Sequence, residues 1–363
     1  MTDLPIAIIG GGVSGTYAAS LLAARGRRCI LFESRPALGG RALSVVREAD
    51  AHGPRTHFDL GPAWYWPDAQ PTITALVDRL GLPVFPQYAD GAMRVERFRL
   101  EAPQSFVPDA GTVPDAMRFR DGVQSLVAAL SDSLPAGTVR CASRVIAVAR
   151  DAAHGVVVRL ANGEEVRAAS VILALPLRLV ANRITFDPPL PAPLVQLMQM
   201  TPTWMAPHAK LLAVYPTPFW RAAGFSGMVS SFVGPMQEIH DASPEQGLGA
   251  LFGFVGLGAG ARAALGEATL RERGIAQLVR LFGAAAESPL NIYLKDWATD
   301  ADTTTPADLE PAMSPHGPGG ALLSELQWEG HLALAGAESS DSHPGYLEGA
   351  VCAAERAVAA LMR

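Results

Sequence analysis

The chain has 363 residues, a formal net charge of -6, 49% apolar residues and 18% charged residues. That balance supports a sizeable core and excludes a disordered chain, a nucleic-acid-binding surface and a polybasic membrane footing. No apolar stretch is long enough to span a bilayer. Cys29, Cys141 and Cys352 lie far apart in apolar settings, which reads as buried thiols in a reducing, cytoplasmic compartment. Eight histidines show no ligand spacing, so no metal is expected. The first strand signal begins at Ile6, so no leader is expected. Ile6-Ala7-Ile8-Ile9 predicts a short buried strand, and Gly10-Gly11-Gly12-Val13-Ser14-Gly15 a turn that opens a helix. Gly10 allows the sharp turn, Gly12 lets backbone approach a pyrophosphate, and Gly15 lets helix and strand pack closely. Ser14 falls in the helix's first turn, where free N–H groups face the phosphates. Cys29 to Phe32 predicts the second strand, and Glu33 ends it where a carboxylate meets ribose hydroxyls. Strand, glycine turn, helix and acid together point to a dinucleotide.

Gly39-Gly40-Arg41 follows Glu33 closely. Here the chain resembles the flavin-dependent amine oxidase family, the monoamine-oxidase-like branch of FAD enzymes. The resemblance implies FAD as cofactor, with Gly40 and Arg41 beside its phosphates or flavin edge. It also places Gly61, Pro62 and Ala63 of the segment Phe58 to Trp66 along the flavin. Pro62 departs from the family's second glycine there. Trp64, Tyr65 and Trp66 are too many aromatics for one side of a strand. Trp64 and Trp66 are therefore candidate substrate-pocket residues, although each suits a core position equally well.

Pro71 to Gly81 predicts a helix with Ile73, Leu76, Val77 and Leu80 on one face. Residues 83–114 are rich in Pro, aromatics and charge, with a strand signal over Met93 to Leu100. Phe119 to Leu134 predicts a glycine turn and a helix. Strand signals follow at Val139 to Val148, Val156 to Leu160 and Glu165 to Val166, the last two joined by the turn pair Asn162-Gly163. The resemblance puts this hairpin near the adenosine, with the Val145 backbone at the adenine. Val171 to Pro176 predicts a buried strand. Further signals are a helix starting in Leu190 to Met200, strands at His208 to Tyr215, Gly249 to Val255 and Asn291 to Trp297, and helix over Ala264 to Ala286 and Gly349 to Met362. The expected fold class is α/β. A discontinuous Rossmann-like FAD-binding domain (1–82, 115–182 and 298–363) carries an inserted α+β substrate domain (83–114 and 183–297). Gly256-Leu257-Gly258-Ala259-Gly260-Ala261 imitates a second nucleotide loop, but the next strand is too distant and no acid stands at the ribose position.

The resemblance returns at Gly336-Ala337-Glu338 and Gly345-Tyr346-Leu347-Glu348-Gly349-Ala350. It implies cofactor contacts from Gly336, Gly345 and Leu347, and from Glu338 to ribityl or phosphate through water. It makes Tyr346 an aromatic on the substrate side of the flavin, where the bland alternative is a buried Tyr. Only two of the 29 basic residues are lysines, Lys210 and Lys295. Lys210, followed by Pro218-Phe219-Trp220, matches the family's lysine that holds a water against the flavin; otherwise it is a lysine on a strand edge. Trp297 completes the implied catalytic set. The loop after it, residues 298–306, contains no Cys and no Tyr. FAD is therefore expected to be non-covalent, and the second cage aromatic is missing. The expected activity is oxidation of an amine, by hydride transfer from the carbon alpha to nitrogen, with O2 as acceptor and H2O2 as product. The alternatives are an FAD-dependent dehydrogenase or desaturase of an apolar non-amine metabolite, and a non-catalytic FAD-binding protein. The expected partners are a small-molecule substrate and O2, and the sequence is compatible with a homodimer.

Overall fold

A computed structural model of the chain describes residues 4–109, 111–112, 114–151, 155–309 and 317–363. Parts of the expected first and last FAD-domain pieces, at 1–3 and 310–316, lie outside these residues, as do positions 110 and 113 and residues 152–154. Its first sheet is parallel and five-stranded, in the order Leu332–Leu334, Ser170–Leu173, Ile6–Ile9 (β1), Cys29–Phe32 (β2), Val139–Arg140. The strands at its centre read as unbroken apolar runs because both faces are covered. On one face, helix Val13–Ala24 (α1) packs with helices Pro71–Leu80, Gln124–Asp132 and Leu347–Leu361. On the other lies a second, four-stranded sheet that includes Val145–Asp151, Gly155–Leu160 and Glu165–Ala168.

Local chemistry explains the boundaries. Pro71 starts its helix at a position where a missing N–H costs nothing, and Gly81 ends it with φ +63°. The expected turn at Asn162-Gly163 joins Gly155–Leu160 to Glu165–Ala168, with Gly163 at φ +87° and the Asn162 side chain accepting from the Glu164 N–H. The single strand expected over Val139 to Val148 is two strands. Val139–Arg140 completes the parallel sheet, and Val145–Asp151 enters the second sheet. The last helix begins at Leu347, two residues before the expected start.

A third, seven-stranded sheet runs Asn291–Asp296, Ala209–Tyr215, Gly249–Val255, Met236–Asp241, Phe225–Ser231, Ala92–Glu96, Gln104–Phe106. Residues from the short excursion thus share a sheet with the larger insert. Helix Glu267–Phe282 covers the back through Leu270, Leu278 and Leu281, against Leu211, Tyr215 and Ile239. The front meets the segment 58–64, where Phe58, Leu60 and Ala63 pack on Leu212, Val214 and Phe252. Strand Gly249–Val255 is antiparallel to both neighbours. The glycine stretch after it therefore opens no βαβ unit and simply leads into helix Ala259–Leu265.

The expected boundary at residue 182 falls too early. Strand Thr185–Asp187 pairs in parallel with Val145–Asp151, and Leu194 and Met198 of helix Ala192–Met200 sit in the core beneath the first sheet. Pairing and burial carry the first unit to about Met200. The thiols also differ from expectation. Cys29 is buried, but Cys141 and Cys352 are partly exposed, and Cys352 lies against Thr72 and Glu348.

Candidate active site

A long cavity enclosing about 1110 Å³, part of it open to solvent, runs from Val145 past the end of β1 to Tyr346. Gly10, Gly11, Gly12, Val13 and Ser14 line its middle. Helix α1 starts there with no side-chain cap and no acidic residue in its first turn. Its amide donors and positive dipole end are thus left for an anion. Gly10 has φ +107°. Gly15 touches the strand so closely that a Cβ would lie 1.9 Å from the Gly10 carbonyl oxygen. The Ser14 hydroxyl donates to the Ala335 carbonyl and ties α1 to the strand Leu332–Leu334. Buried Glu33 lines the same cavity and accepts from the Gly11 and Arg35 N–H groups, each at 2.8 Å. At the far end Ser143, Arg144, Val145, Leu179 and Ile184 form the lining. An uncapped helix start, a glycine cradle, a buried acid and an apolar slot suit the pyrophosphate, ribose and adenine of a dinucleotide.

At the other end the lining is Gly39, Gly40, Arg41, Ala42, Pro62, Gly336, Ala337, Gly345, Tyr346 and Leu347. Gly61 lies just behind. A Cβ on it would come 1.9 Å from the Arg41 carbonyl oxygen, so only glycine lets the segments 41–43 and 59–61 run side by side. Glu338, expected to reach the cofactor through water, is absent from the lining. Its carboxylate takes both guanidinium N–H groups of Arg41, at 2.6 and 3.0 Å, and the Trp204 N–H at 3.0 Å. A buried acid opposite a half-buried guanidinium fixes the fork and leaves little of the carboxylate free.

Lys210 sits on strand Ala209–Tyr215 and is buried. Its ammonium donates to the carbonyls of Gly61 at 2.7 Å and Asp59 at 3.2 Å, and lies 4.1 Å from the Phe252 ring centre. Burial pulls its pKa down to about 7; the buried Asp59 opposes the shift and Arg118 adds to it. The Trp297 indole N–H donates to the Leu60 carbonyl at 3.1 Å. Lys210 and Trp297 therefore hold three consecutive carbonyls of the segment that leads into Pro62. Lys295 is the register partner of Lys210 on the adjacent strand, and its ammonium pairs with Asp300 at 2.6 Å.

Sequence reasoning missed Trp204. Its ring stacks on Tyr346, with centroids 5.1 Å apart and planes 31° apart, and its Cβ lies against Gly345, where an added Cβ would be 2.3 Å away. Its carbonyl accepts from Arg41. Two non-glycine residues with left-handed backbone flank this pair: Met205 at φ +61° and His343 at φ +46°. Such strain persists only where surrounding structure enforces it. Asp308 anchors Thr203, close to Met205 in sequence, by accepting from the Thr203 and Thr305 N–H groups while pairing with Arg178. Trp66 approaches Tyr346 edge-on at 6.2 Å, and Trp64 lies 6.2 Å beyond Trp66. Trp64 also donates to Gln87 and packs on His240 and Phe252. Neither Trp64 nor Trp66 lines the long cavity; Trp66 reaches it only through its ring contact with Tyr346, and Ala63 packs in the sheet-facing core.

The family described as flavin-containing amine oxidoreductase matches residues 99–362, and the NAD(P)-binding Rossmann-like domain matches residues 8–80. A Mycobacterium tuberculosis protein named as a flavin-containing monoamine oxidase, AofH, is 26% identical over 98% of this chain and 95% of its own. A putrescine oxidase of Kocuria rosea is 34% identical, over 24% of this chain and 16% of its own. Among solved structures, wild-type putrescine oxidase bound to putrescine superposes with a TM-score of 0.84 at 22% identity, over 99% of both chains. Cyclohexylamine oxidase from Brevibacterium oxydans gives 0.80 at 20% identity, again over 99% of both. No helix among the described residues is long and apolar enough to cross a membrane. The chain belongs to the flavin-containing amine oxidoreductase family, and it is an FAD-dependent oxidoreductase of the amine-oxidising class.

Proposed function

We infer that the chain oxidises a neutral amine at the Tyr346 end of the long cavity, with FAD held non-covalently, O2 as acceptor and H2O2 as product. The observation that carries this reading is the buried ammonium of Lys210 against the segment 59–61. A lysine is costly to bury unless its charge has a task. Here it faces the wall that the flavin end of the cofactor would meet. FAD, when bound, supplies the acceptor for the hydride and returns the electrons to O2. Lys210 orients water and offers positive charge where a reduced oxygen species gathers negative charge. Trp297 fixes the same backbone segment. The start of helix Leu347–Leu361 presents its N–H groups toward the cavity, while its own acid, Glu348, is taken up by the Thr72 and Ile73 N–H groups. Tyr346 and Trp204 form one stacked aromatic surface that shapes the approach of the amine. In this reading Trp204 supplies the second ring that the loop 298–306 lacks.

Non-covalent binding is supported by the absence of Cys29, Cys141 and Cys352 from the cavity lining. The same three unpaired thiols support a reducing, cytoplasmic setting. The relatives named as monoamine, putrescine and cyclohexylamine oxidases support an amine donor. The test is stoichiometry in air. One H2O2 is expected per amine consumed, with no added electron acceptor, and the rate of flavin reduction by the amine should climb with pH as the amine loses its proton. Turnover that requires an artificial acceptor and yields no peroxide would overturn the assignment of O2.

A further inference from the structure

Strand Asn291–Asp296 is an edge of the seven-stranded sheet, and the chain that leaves it crosses to the adenosine end of the long cavity. Ala301 and Asp302 line that cavity, and Asp302 meets Arg35 and Arg144, which line it too. Arg35 stands two residues after Glu33, and Arg144 immediately precedes Val145. The tip 298–302 therefore covers the adenosine end, although it grows out of the other sheet.

The tip is anchored at both ends and carries no core between them. Trp297 on one side and Thr303, Thr304 and Thr305 on the other are buried. The Thr304 hydroxyl donates to the Trp297 carbonyl at 2.8 Å, and the Thr303 and Thr304 N–H groups donate to the Asp300 carbonyl at 3.1 and 2.8 Å. Between these anchors, none of Ala298, Thr299, Asp300, Ala301 and Asp302 belongs to an apolar core, and Thr299 and Ala301 are exposed. Ion pairs hold the tip instead. Asp300 bridges Arg35 and Lys295, the latter at 2.6 Å, and Asp302 bridges Arg35 at 3.5 Å and Arg144 at 2.6 Å. Arg35 also donates to the Gly40 carbonyl at 3.0 Å, which fastens the network to the cavity wall.

A segment with no buried apolar contact, held by partly exposed ion pairs, lies at the low-stability end of a fold. Each such pair shifts an equilibrium by a factor of about 5 or less. Both carboxylates are already engaged by the protein's own cations. The tip is thus held shut by the protein and does not spend its charges on the cofactor.

We propose that residues 298–302 form an ion-paired clasp over the adenosine end of the cavity, and that FAD enters and leaves when the clasp opens. This rests on the non-covalent binding of FAD proposed above. A clasp acts on the barrier in both directions. Breaking it should speed release and association together and leave affinity nearly unchanged. A residue that only touches FAD would change release alone, and a damaged fold would slow association.

The experiment measures FAD release from the holoprotein and FAD association with the apoprotein, by flavin fluorescence, in the full chain. The proteins are wild type, Arg144→Gln, Asp302→Asn and the double variant. Arg144→Gln removes a positive charge from the path of an anionic cofactor, so steering alone would slow association. The clasp predicts the reverse, with release and association each about 5-fold faster and Kd within about 2-fold. Asp302→Asn loses contacts with two cations and should do at least as much. The double variant should add less than about 2-fold to Asp302→Asn, because the Arg144–Asp302 pair is already gone. Between about 0.05 and 0.5 M NaCl, release from wild type should quicken about 5-fold, and release from the double variant by less than about 2-fold. Hydrogen exchange over residues 298–303 reads the clasp with or without flavin present and should be faster in both single variants. Unchanged exchange, unchanged rates, or faster release without faster association would overturn the proposal. Flavin that stays on the polypeptide after denaturation would sink the non-covalent reading instead, while hydrogen exchange still decides whether these ion pairs hold the tip shut.

Discussion

Gly15→Ala is expected to yield a protein that does not retain FAD. The added Cβ would stand 1.9 Å from the Gly10 carbonyl oxygen and 3.2 Å from the Ala174 Cβ. The obstacle is backbone, so no side chain can swing aside. Gly10 itself is held by its N–H bond to the Phe32 carbonyl at 2.8 Å, and a shift would drive it toward the Ala174 carbonyl. Helix α1 must then lift off β1, taking with it the amides that face the pyrophosphate. Overpacking of side chains commonly costs about 1–3 kcal/mol, and a backbone collision stands at or above the upper end. The measurement is flavin absorbance per mole of purified protein, before and after added FAD. Gly260→Ala is the control, because a Cβ there meets nothing within 4 Å and Gly260 lies inside helix Ala259–Leu265. That variant should stay fully yellow and gain up to about 1 kcal/mol in stability. Flavin loss from both variants would deny the two glycine stretches their different roles.

Lys210→Met should slow reoxidation of the reduced enzyme by O2 by about 100-fold or more, with far less effect on its reduction by amine. The buried ammonium is the positive charge nearest the segment 59–61, and Met keeps the length without the charge. Rapid-mixing of each half-reaction reads the two rates separately, and equal slowing of both would remove Lys210 from the oxygen step. Stability gives a second signature. Burial brings the Lys210 ammonium down to about 7, from the 10.5 of a free lysine side chain. Below pH 7 the folded state carries the full cost of a buried ammonium. Between pH 7 and 10.5 the unfolded chain binds the proton and the folded chain does not, so this group's contribution improves as pH rises. The improvement is on the order of 5 kcal/mol across that window. Lys210→Met lacks the cost at every pH, although it leaves two carbonyls without their donor. Its stability relative to wild type should therefore be most favourable near pH 6 and decline toward pH 10, as measured by denaturant unfolding of the two proteins. A difference that does not change with pH would show that the ammonium is not desolvated.

Much of this was legible in the chain because the signals are local. The strand, turn, helix and acid of residues 6–33 each follow from neighbours in sequence, and the hairpin at Asn162-Gly163 needs only its turn chemistry. The buried strand around Lys210 showed in its apolar run. Other features depend on contacts between distant residues and leave no local mark. Arg41 and Glu338 find each other across 297 positions, and that pairing takes Glu338 out of the cavity lining. Trp204 is a lone Trp in a loop, and its place comes from Gly345 and Tyr346 on the far side of the chain. The strand Met236–Asp241 escaped notice because the bulge at Gln237 breaks its alternation. The boundary near residue 182 was misplaced for a related reason. Helix Ala192–Met200 looks like the start of the insert, and only its burial beneath the first sheet assigns it to the dinucleotide-binding unit.

The most direct measurement is an anaerobic titration of the purified, FAD-loaded protein with primary amines and diamines, followed by visible absorbance. The oxidised flavin bands should bleach with a stoichiometry of one amine per bound flavin, then recover on admission of air. A protein that carries its flavin yet keeps its colour in the presence of every amine, under conditions where dithionite reduces it fully, would contradict the account.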